Sequence, residues 1–222
     1  MVVFALAVNG PYLLLIDRFG YDDILREPPR MVLAAFHAGG PELILIWLVF
    51  AACALSFLWV SAWVGEAVKA AGGRRPAWAG AAGAASAVAQ AVGLSRWPFA
   101  VPGLADQVAT GDAATQTAAL SVFQALHQFA GVAIGEWLGQ TLLAAWTLAL
   151  GLAMIGGRPG PRLLGWAGVV LAPLWILGQT ELLATVDPAF PDFQITQWVF
   201  TAWLAWLLAT GATWLFNTGD DR

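Results

Sequence analysis

The sequence predicts an all-α protein: a polytopic transmembrane bundle of six helices, with interfacial or re-entrant helices on its external face. Composition is the first observation behind this prediction. Of the 222 residues, 59% are hydrophobic and only 11% are charged, whereas soluble domains carry roughly 25% charged residues. The mean hydropathy is +0.71, and the length suits a single integral membrane domain over residues 1–222.

The number of apolar runs is the second observation. A helix needs about 20 largely apolar residues to cross roughly 30 Å of hydrocarbon, and lipid offers no partner to an unpaired backbone group. Six runs approach or reach that length. They are predicted to cross the membrane over residues 2–16, 43–63, 77–94, 132–155, 163–184 and 196–216.

The first run is the shortest and is interrupted at residues 9–11 by Asn-Gly-Pro. Its charged exit at Asp17 and Arg18 predicts that the helix ends at residue 16. The run lacks the basic start and the small-residue cleavage site of a signal peptide, so it is interpreted as a retained helix. The second run, by contrast, carries no charge and has two tryptophans near its far end, where they suit a membrane interface.

The remaining runs differ in their small and polar residues. Gly80, Gly83 and Ser86 let another backbone approach the third helix closely, which predicts an interior position. The fourth helix is preceded by a predicted amphipathic helix over residues 120–129, and Pro173 predicts a kink in the fifth. The sixth run carries tryptophans that are typical of interface anchors and packing: Trp198, Trp203, Trp206 and Trp214.

Basic residues predict the orientation. Six of the ten Lys and Arg residues fall in the second and fourth connections and at the C-terminus, and four fall in the first and third connections. The positive-inside rule therefore predicts that both termini are cytoplasmic. The long polar segments 17–42, 95–131 and 185–195 then lie on the external face, and the first of them is interpreted as a re-entrant or surface-lying cap.

Several classes of protein are disfavoured by the same composition. With a net charge of -4 and no Lys/Arg-rich run, nucleic acid is not an expected partner. The single cysteine, Cys53, cannot form an intrachain disulfide and is interpreted as a small core residue. The single lysine, Lys69, lies at the edge of an apolar run, which argues against a buried Schiff-base cofactor such as retinal. The cofactors are otherwise left unknown.

The candidate site begins with two carboxylates inside predicted spans, Glu136 and Glu181. An ionisable side chain is costly there and usually faces a cavity or a partner. Gln140 lies four residues after Glu136 and projects with it, and Arg96 leaves the third span at the same level as a natural counter-ion. These residues form either a structural salt bridge with a polar network or a polar pocket in which a carboxylate or His127 transfers a proton.

Both histidines, His37 and His127, precede a predicted span on the external side. Together with Glu42 or Glu136 they could ligate a metal ion or a haem iron, although no motif such as HExxH supports this. The alternative is that each imidazole is hydrogen-bonded at the interface. Gln124 lies three residues before His127 and shares its helix face, so it is predicted to belong to the same binding surface.

Four motifs connect the chain with a known group of proteins: YDDILREPP, FHAGG, GLSRWPF and ALHQFAGVAIGE. Over roughly residues 10–185 the chain resembles bacterial multi-pass membrane proteins catalogued only as a domain of unknown function. The resemblance implies a six-helix protein of the bacterial inner membrane, and it brings no established activity and no catalytic residue. The motifs contain His37, Arg96, Trp97, His127 and Glu136, and Trp97 joins the predicted ligand-binding residues on this basis.

Two functions are compatible with these residues. The first is a binding, sensing or accessory membrane protein whose external polar pocket accepts a lipophilic molecule or a partner helix, with membrane lipids around it. The alternative is an intramembrane enzyme acting on a lipid, quinone or isoprenoid, with Glu136 or His127 as acid or base and Arg96 holding an anionic head group. A transporter or channel is disfavoured, because the two halves do not resemble each other and the polar residues gather at one end.

Overall fold

A computed structural model of the chain describes residues 1–21, 23–73, 76–156 and 160–217. Within these ranges the regular elements are helices, which confirms the predicted all-α bundle. The elements are α1 (Val2–Phe19), a 3₁₀ turn (Asp23–Arg26), α2 (Pro29–Ala70), α3 (Trp78–Phe99), α4 (Val101–Thr110), α5 (Ala113–Leu126), a π-helix (His127–Leu138), α6 (Gly139–Ile155), α7 (Arg162–Gly178), α8 (Thr180–Ala184) and α9 (Thr196–Asn217).

Membrane crossing can be judged from helix length and composition. Among the described residues, five helices are long and apolar enough to cross a membrane: Val2–Phe19, Pro29–Ala70, Ala113–Ile155, Arg162–Ala184 and Thr196–Phe216. Helix α3 has 22 residues and a length of about 33 Å, but its alanines and glycines leave it less hydropathic than the other five. The sixth crossing therefore stays a prediction.

The predicted orientation depends largely on basic residues between and beyond these helices. Four of the six residues on the predicted cytoplasmic side lie outside the described residues: Arg74, Arg75, Arg158 and Arg222.

Helix α1 corrects the prediction for the first run. It continues through Pro11 without a break and ends at Phe19, three residues after the predicted end. Proline removes the N–H that would bond the carbonyl four residues earlier, and the thiol of Cys53 on α2 donates to that carbonyl, Ala7 O, at 3.7 Å. Gly20 then ends the helix in the left-handed conformation, with φ 70° and ψ 30°.

Helix α2 is bent near its start. Gly40 has φ 58° and ψ -154°, a conformation that glycine adopts without the steric cost a Cβ atom would bring, and Pro41 follows it. The segment before the bend packs Phe36 onto Phe19 of α1, with ring centroids 6.0 Å apart. This bend separates residues 29–40, which belong to the predicted cap, from the rest of α2.

Helix α3 packs closely against its neighbours through small residues. A Cβ atom on Gly83 would lie 2.5 Å from Ser61 Cβ of α2, and one on Gly93 would lie 2.6 Å from Gly135 Cα of the π-helix. Ser86 donates a buried hydrogen bond of 2.8 Å to Gly139 O. Close backbone approach of this kind is what small residues permit in membrane helices, and it holds α3 between α2 and the π-helix.

The predicted loop between the third and fourth runs is helical. Helices α4 and α5 form a hairpin, and Asp112 caps α5 by accepting a 2.8 Å hydrogen bond from Thr115 N. The predicted helix over residues 120–129 is confirmed, although it becomes a π-helix at His127. Helix α5, the π-helix and α6 run on as one continuous helix, Ala113–Ile155.

The fifth and sixth runs are helical in the structure. Pro173 lies inside α7, and a turn at Gln179 separates α7 from α8. In α9, Trp203 and Trp206 are buried at 2% and 4% exposure, which agrees with the predicted packing role. Trp198 is 69% exposed, as an interface anchor would be.

Candidate functional site

A cavity of about 740 Å³ lies at one end of the bundle. Its walls come from segments that the sequence assigns to one side or that adjoin them: residues 21 and 25–32, residues 96–128 and residues 182–197 contribute to it. Residues deeper in the helices, such as Gln90 and Phe50, form its inner part. We call this region the cavity end.

The structure brings most of the predicted site residues to this cavity. The seven that line it are Arg96, Trp97, Gln124, His127, Glu136, Gln140 and Glu181. They come from α3, α5, the π-helix, α6 and α8, and only the fold brings them to one place.

Two predicted residues lie elsewhere. His37 is exposed and does not line the cavity, and Glu42 is exposed and lies 4.0 Å from Arg18 in an ion pair. The predicted metal site therefore loses His37 as a partner of His127. Within the described residues, no group of three or more His, Cys, Asp and Glu side chains is placed to hold a metal ion.

Arg96 is the charged residue most deeply placed in the cavity wall, with 6% of its surface exposed. Its Nη1 donates to Gly93 O one turn earlier, and its Nη2 lies 3.5 Å from His127 Nδ1. Arginine only donates hydrogen bonds, so Nδ1 of His127 can accept from it when the ring proton is on Nε2. Glu136 also interacts electrostatically with this guanidinium.

The guanidinium fits because the π-helix has no side chain at the point of contact. A Cβ atom on Gly131 would lie 2.5 Å from Arg96 Cζ and 2.5 Å from Nη2. Arg96 also lies over the Trp97 ring, with Cζ 5.1 Å from the ring centroid, a distance at which the cation is attracted to the aromatic face. Arg96 is thus close to both a glycine and an indole.

The π-helix determines which residues face the cavity. His127 and Glu136 are nine residues apart, which would put them on opposite sides of an α-helix at about 100° per residue. The i→i+5 hydrogen bonds of a π-helix widen each turn to roughly 4.4 residues, so nine residues make about two full turns. His127, Gly131 and Glu136 consequently lie on one face.

Aromatic side chains form much of the remaining wall. Trp97 stacks on Trp47 of α2, with centroids 4.6 Å apart and an interplanar angle of 11°. Tyr12 and Phe200 are 5.2 Å apart, and Phe200 is 6.5 Å from Trp175. The cavity is therefore bounded by apolar ring surfaces as well as by ionisable groups.

Polar atoms of the cavity residues are left without a hydrogen-bond partner among the described residues. They are Arg96 Nε, Trp97 Nε1, Gln140 Oε1, Trp175 Nε1 and Thr196 Oγ1. Buried polar groups are normally paired, and the surface of each of these atoms is almost fully covered by protein. Most of these atoms are donors.

The break between α7 and α8 is fixed to the π-helix by hydrogen bonds. Gln179 accepts from Thr141 Oγ1 at 3.2 Å and donates to Trp137 O at 3.4 Å. Gln128 donates to Thr185 Oγ1 at 3.1 Å. These contacts hold the segment that carries Glu181 beside the helix that carries Glu136.

Sequence reasoning missed two features of this site. Tyr12, Trp175 and Thr196 line the cavity, but no motif distinguishes them from other aromatic and polar residues of the spans. The second feature is a row of glycines along the π-helix and the start of α6. It did leave a signal in the sequence, since Gly131, Gly135 and Gly139 recur at intervals of four. That spacing is typical of close helix contacts.

The fold and the site together define a multi-pass helical membrane protein with a polar and aromatic cavity at one end. The chain belongs to the family described as Domain of unknown function (DUF4386), whose model matches residues 1–216. The resemblance to a family catalogued only as a domain of unknown function is thereby confirmed. No curated protein and no solved structure matches the chain.

Proposed function

We propose that this protein binds a lipophilic small molecule in the cavity, as a six-span protein of the bacterial inner membrane with both termini in the cytoplasm. The observation that carries the proposal is a cavity of about 740 Å³ whose wall contains the buried Arg96 and the buried indoles of Trp97 and Trp175. Mostly apolar walls with a few convergent polar groups are typical of ligand sites.

The size of the cavity favours a small molecule over the alternative occupant, a partner helix. Ligand sites have volumes of roughly 300–1,000 Å³, and about 740 Å³ lies within that range. A helix about 10 Å across fills roughly 400 Å³ per turn. The cavity would therefore hold less than two turns, too little for a stable helix contact.

Exposed aromatic residues support both the sixth crossing and a site within the bilayer. Trp78 and Phe99 are 51% and 76% exposed at the two ends of α3, and they are separated by about 32 Å along the helix, close to the hydrocarbon thickness. Gln90 lines the cavity about 13 Å from Phe99 along the same helix. A molecule in the cavity that reaches Gln90 would lie partly at the depth of the lipid hydrocarbon chains.

The orientation can be tested with single cysteines in a Cys53→Ser background. We expect a membrane-impermeant maleimide added to intact cells to label His37→Cys, which replaces an exposed residue on the predicted external side, and to leave Lys69→Cys unlabelled until the cells are opened. The reverse pattern would place the cavity on the cytoplasmic side. Labelling of both in intact cells would contradict the predicted topology.

Ligand binding can be tested by native mass spectrometry of protein released from mild detergent. We expect a discrete adduct on the wild type that is lost in Arg96→Gln and His127→Ala, because both residues line the cavity. His37→Ala and Glu42→Gln are matched controls outside the cavity and should keep the adduct. Bare wild-type protein, or an adduct that survives both cavity variants, would overturn the proposal.

The alternative function, an intramembrane enzyme, is supported by one observation. An imidazole and a carboxylate, those of His127 and Glu136, line the same cavity, as an acid and base pair requires. On this alternative, Glu136→Gln would fold and carry an unconverted substrate, so its adduct would differ in mass from that of the wild type. If the adducts on Glu136→Gln, Glu42→Gln and wild type have the same mass, binding without conversion is favoured.

A further inference from the structure

We infer that the segment between α8 and α9 is a membrane-inserted strap, and that its partner is the head-group layer of the lipid bilayer at the cavity end. The strap comprises residues 186–194, of which Val186 and Asp192 line the cavity. Contact with lipid would therefore hold one wall of the cavity in place. The strap would do this whatever molecule the cavity binds, which makes it independent of the proposed function.

The strap is attached to the bilayer surface at both ends. It follows the candidate membrane span Arg162–Ala184 and precedes the span Thr196–Phe216. With 23 and 21 residues, these spans reach at most about 35 and 32 Å along their axes, close to the roughly 30 Å of the hydrocarbon core. Their ends at Ala184 and Thr196 consequently lie near the membrane surface, and so does the short segment that joins them.

Three large apolar side chains of the strap are not covered by protein. Val186, Phe190 and Phe193 are 70%, 47% and 53% exposed, and exposed apolar groups of this kind mark a surface that meets a membrane or a partner. Exposed apolar side chains also lie on the spans directly before and after the strap, since Leu183 is 48% and Trp198 is 69% exposed. The apolar surface that the two spans present to lipid thus continues into the strap.

The backbone of the strap suits an environment with few hydrogen-bond partners. Pro188 and Pro191 have no N–H group. Pairing within the chain matters most where backbone leaves water, because lipid offers no partner. The carboxylates of Asp187 and Asp192 supply two of the acceptors. Five N–H groups of the strap are paired within it or with the end of α8, namely those of Val186, Asp187, Ala189, Phe190 and Gln194.

The charge of the strap determines which kind of lipid contact is possible. Asp187 and Asp192 are acidic, and residues 186–194 contain no lysine or arginine. Attraction to anionic lipids needs a cluster of basic residues near the membrane, so it cannot draw this segment to the surface. The contact is instead apolar, with Phe190 and Phe193 inserted among the head groups. Neutral lipid alone should therefore support it.

Electron paramagnetic resonance of nitroxide labels can test the insertion. In a Cys53→Ser background, labels at Phe190→Cys and Phe193→Cys are placed in phosphatidylcholine vesicles and exposed to oxygen, which concentrates in lipid, or to a water-soluble nickel chelate. We expect the ratio of oxygen to nickel collisions to be at least threefold higher than at Gln107→Cys, an exposed residue of α4. It should approach the ratio at Leu13→Cys, which is 59% exposed on α1.

Two results of that experiment would overturn the insertion. A collision ratio at Phe190→Cys and Phe193→Cys equal to that at Gln107→Cys would place the strap in water. Few collisions with either reagent would show that protein covers the strap, as in an oligomer, and lipid would then not be its partner.

A label on the cavity wall can test whether lipid holds that wall. Val186→Cys carries the nitroxide because Val186 lines the cavity, and Phe190→Ser combined with Phe193→Ser removes the proposed lipid contacts. We expect the rotational motion of the label in vesicles to become at least twofold faster. Phe99→Ser is the matched control, since Phe99 is 76% exposed on α3 and outside the cavity, and it should leave the motion unchanged. Equal motion with and without the two strap phenylalanines would overturn the holding role.

Discussion

The cavity end and the opposite end of the bundle use the same residue types in different ways. At the opposite end, which we call the packed end, α6 and α7 meet at Gly151 and Gly165, and a Cβ atom on Gly151 would lie 2.7 Å from Gly165 O. Between the two ends, Trp203 Nε1 donates to Thr147 Oγ1 at 2.9 Å, and its ring centroid lies 6.4 Å from that of the cavity-lining Trp175. The void between α2, α3 and α6 near this end measures only about 10 Å³, enough for at most one water.

The difference shows what the cavity requires of the sequence. At the packed end, glycine brings two backbones together. Outside the cavity the buried indoles of Trp203 and Trp206 each have an acceptor, since Trp206 Nε1 donates to Leu164 O at 2.8 Å. At the cavity end, Gly131 makes room for a charged side chain, and the indoles of Trp97 and Trp175 have no acceptor among the described residues. Composition alone does not distinguish these uses.

The largest expected effect comes from filling the helix contact of the packed end. Gly151→Ala places a methyl group 2.7 Å from Gly165 O and 2.9 Å from Val169 N, and these backbone atoms can move only if the helices separate. We expect a loss of about 1–3 kcal/mol in the free energy of unfolding, measured by denaturation in detergent. Gly103→Ala, where nothing lies within 4 Å, should be neutral or slightly stabilising, and equal effects would contradict the comparison.

A glycine-to-alanine substitution at the cavity end should weaken ligand binding more than it lowers stability. Gly131→Ala places its methyl group against the guanidinium of Arg96, the end of a flexible side chain that can rotate away. We expect a smaller loss of stability than in Gly151→Ala and a severalfold loss of the native adduct, read by native mass spectrometry. A variant that unfolds like Gly151→Ala and keeps its adduct when folded would refute this distinction.

Paired indole substitutions sharpen the comparison further. Trp203→Phe and Trp175→Phe both remove ring area, but only the first removes a hydrogen bond made within the described structure. We expect the free energy of unfolding of ligand-free protein to fall by about 1 kcal/mol more in Trp203→Phe. Thr147→Val should match that extra loss, because it removes the same hydrogen bond from the other side.

The smallest effect concerns Asp112, at the start of α5. The hydrogen bond from Thr115 N lowers the pKa of this carboxyl below its usual value, which is about 3.9. Because the folded-state pKa is depressed, its stabilisation is fully present above the unfolded pKa and is lost as pH falls through the folded value. Thermal unfolding at pH 6 and at pH 3 should show Asp112→Asn slightly less stable than wild type only at pH 6. A constant difference would exclude this charge effect.

Much of the fold could be predicted because membrane solvation imposes length and apolarity on each span. Residues 196–216 and 43–63 fall inside α9 and α2 as described. The errors are local. Pro11 does not break α1, since a thiol on another helix donates to the carbonyl it leaves unpaired, and such a tertiary contact leaves no trace in the local pattern.

Site residues could be predicted where an ionisable side chain lies in or beside a span. They were missed where helix geometry decides which residues face the cavity. Glu136 and Glu181 were found because ionisable groups in a span have few explanations, and Arg96 was found as the cation that leaves the third span at their level. His127 and Glu136 share a face only because the helix between them is a π-helix, a form that the sequence pattern did not predict. Glu42, chosen as a possible metal ligand beside the histidines, instead lies outside the cavity beside Arg18.

The stacked pair of Trp47 and Trp97 has an optical consequence. Two indoles 4.6 Å apart and 11° from parallel couple their excited states, so the near-ultraviolet circular dichroism of the protein should contain a signal that depends on their separation and angle. Trp97 lines the cavity, whereas Trp47 lies behind it. Any occupant that shifts the Trp97 ring would therefore change this signal, and the protein would report its own occupancy without an added label.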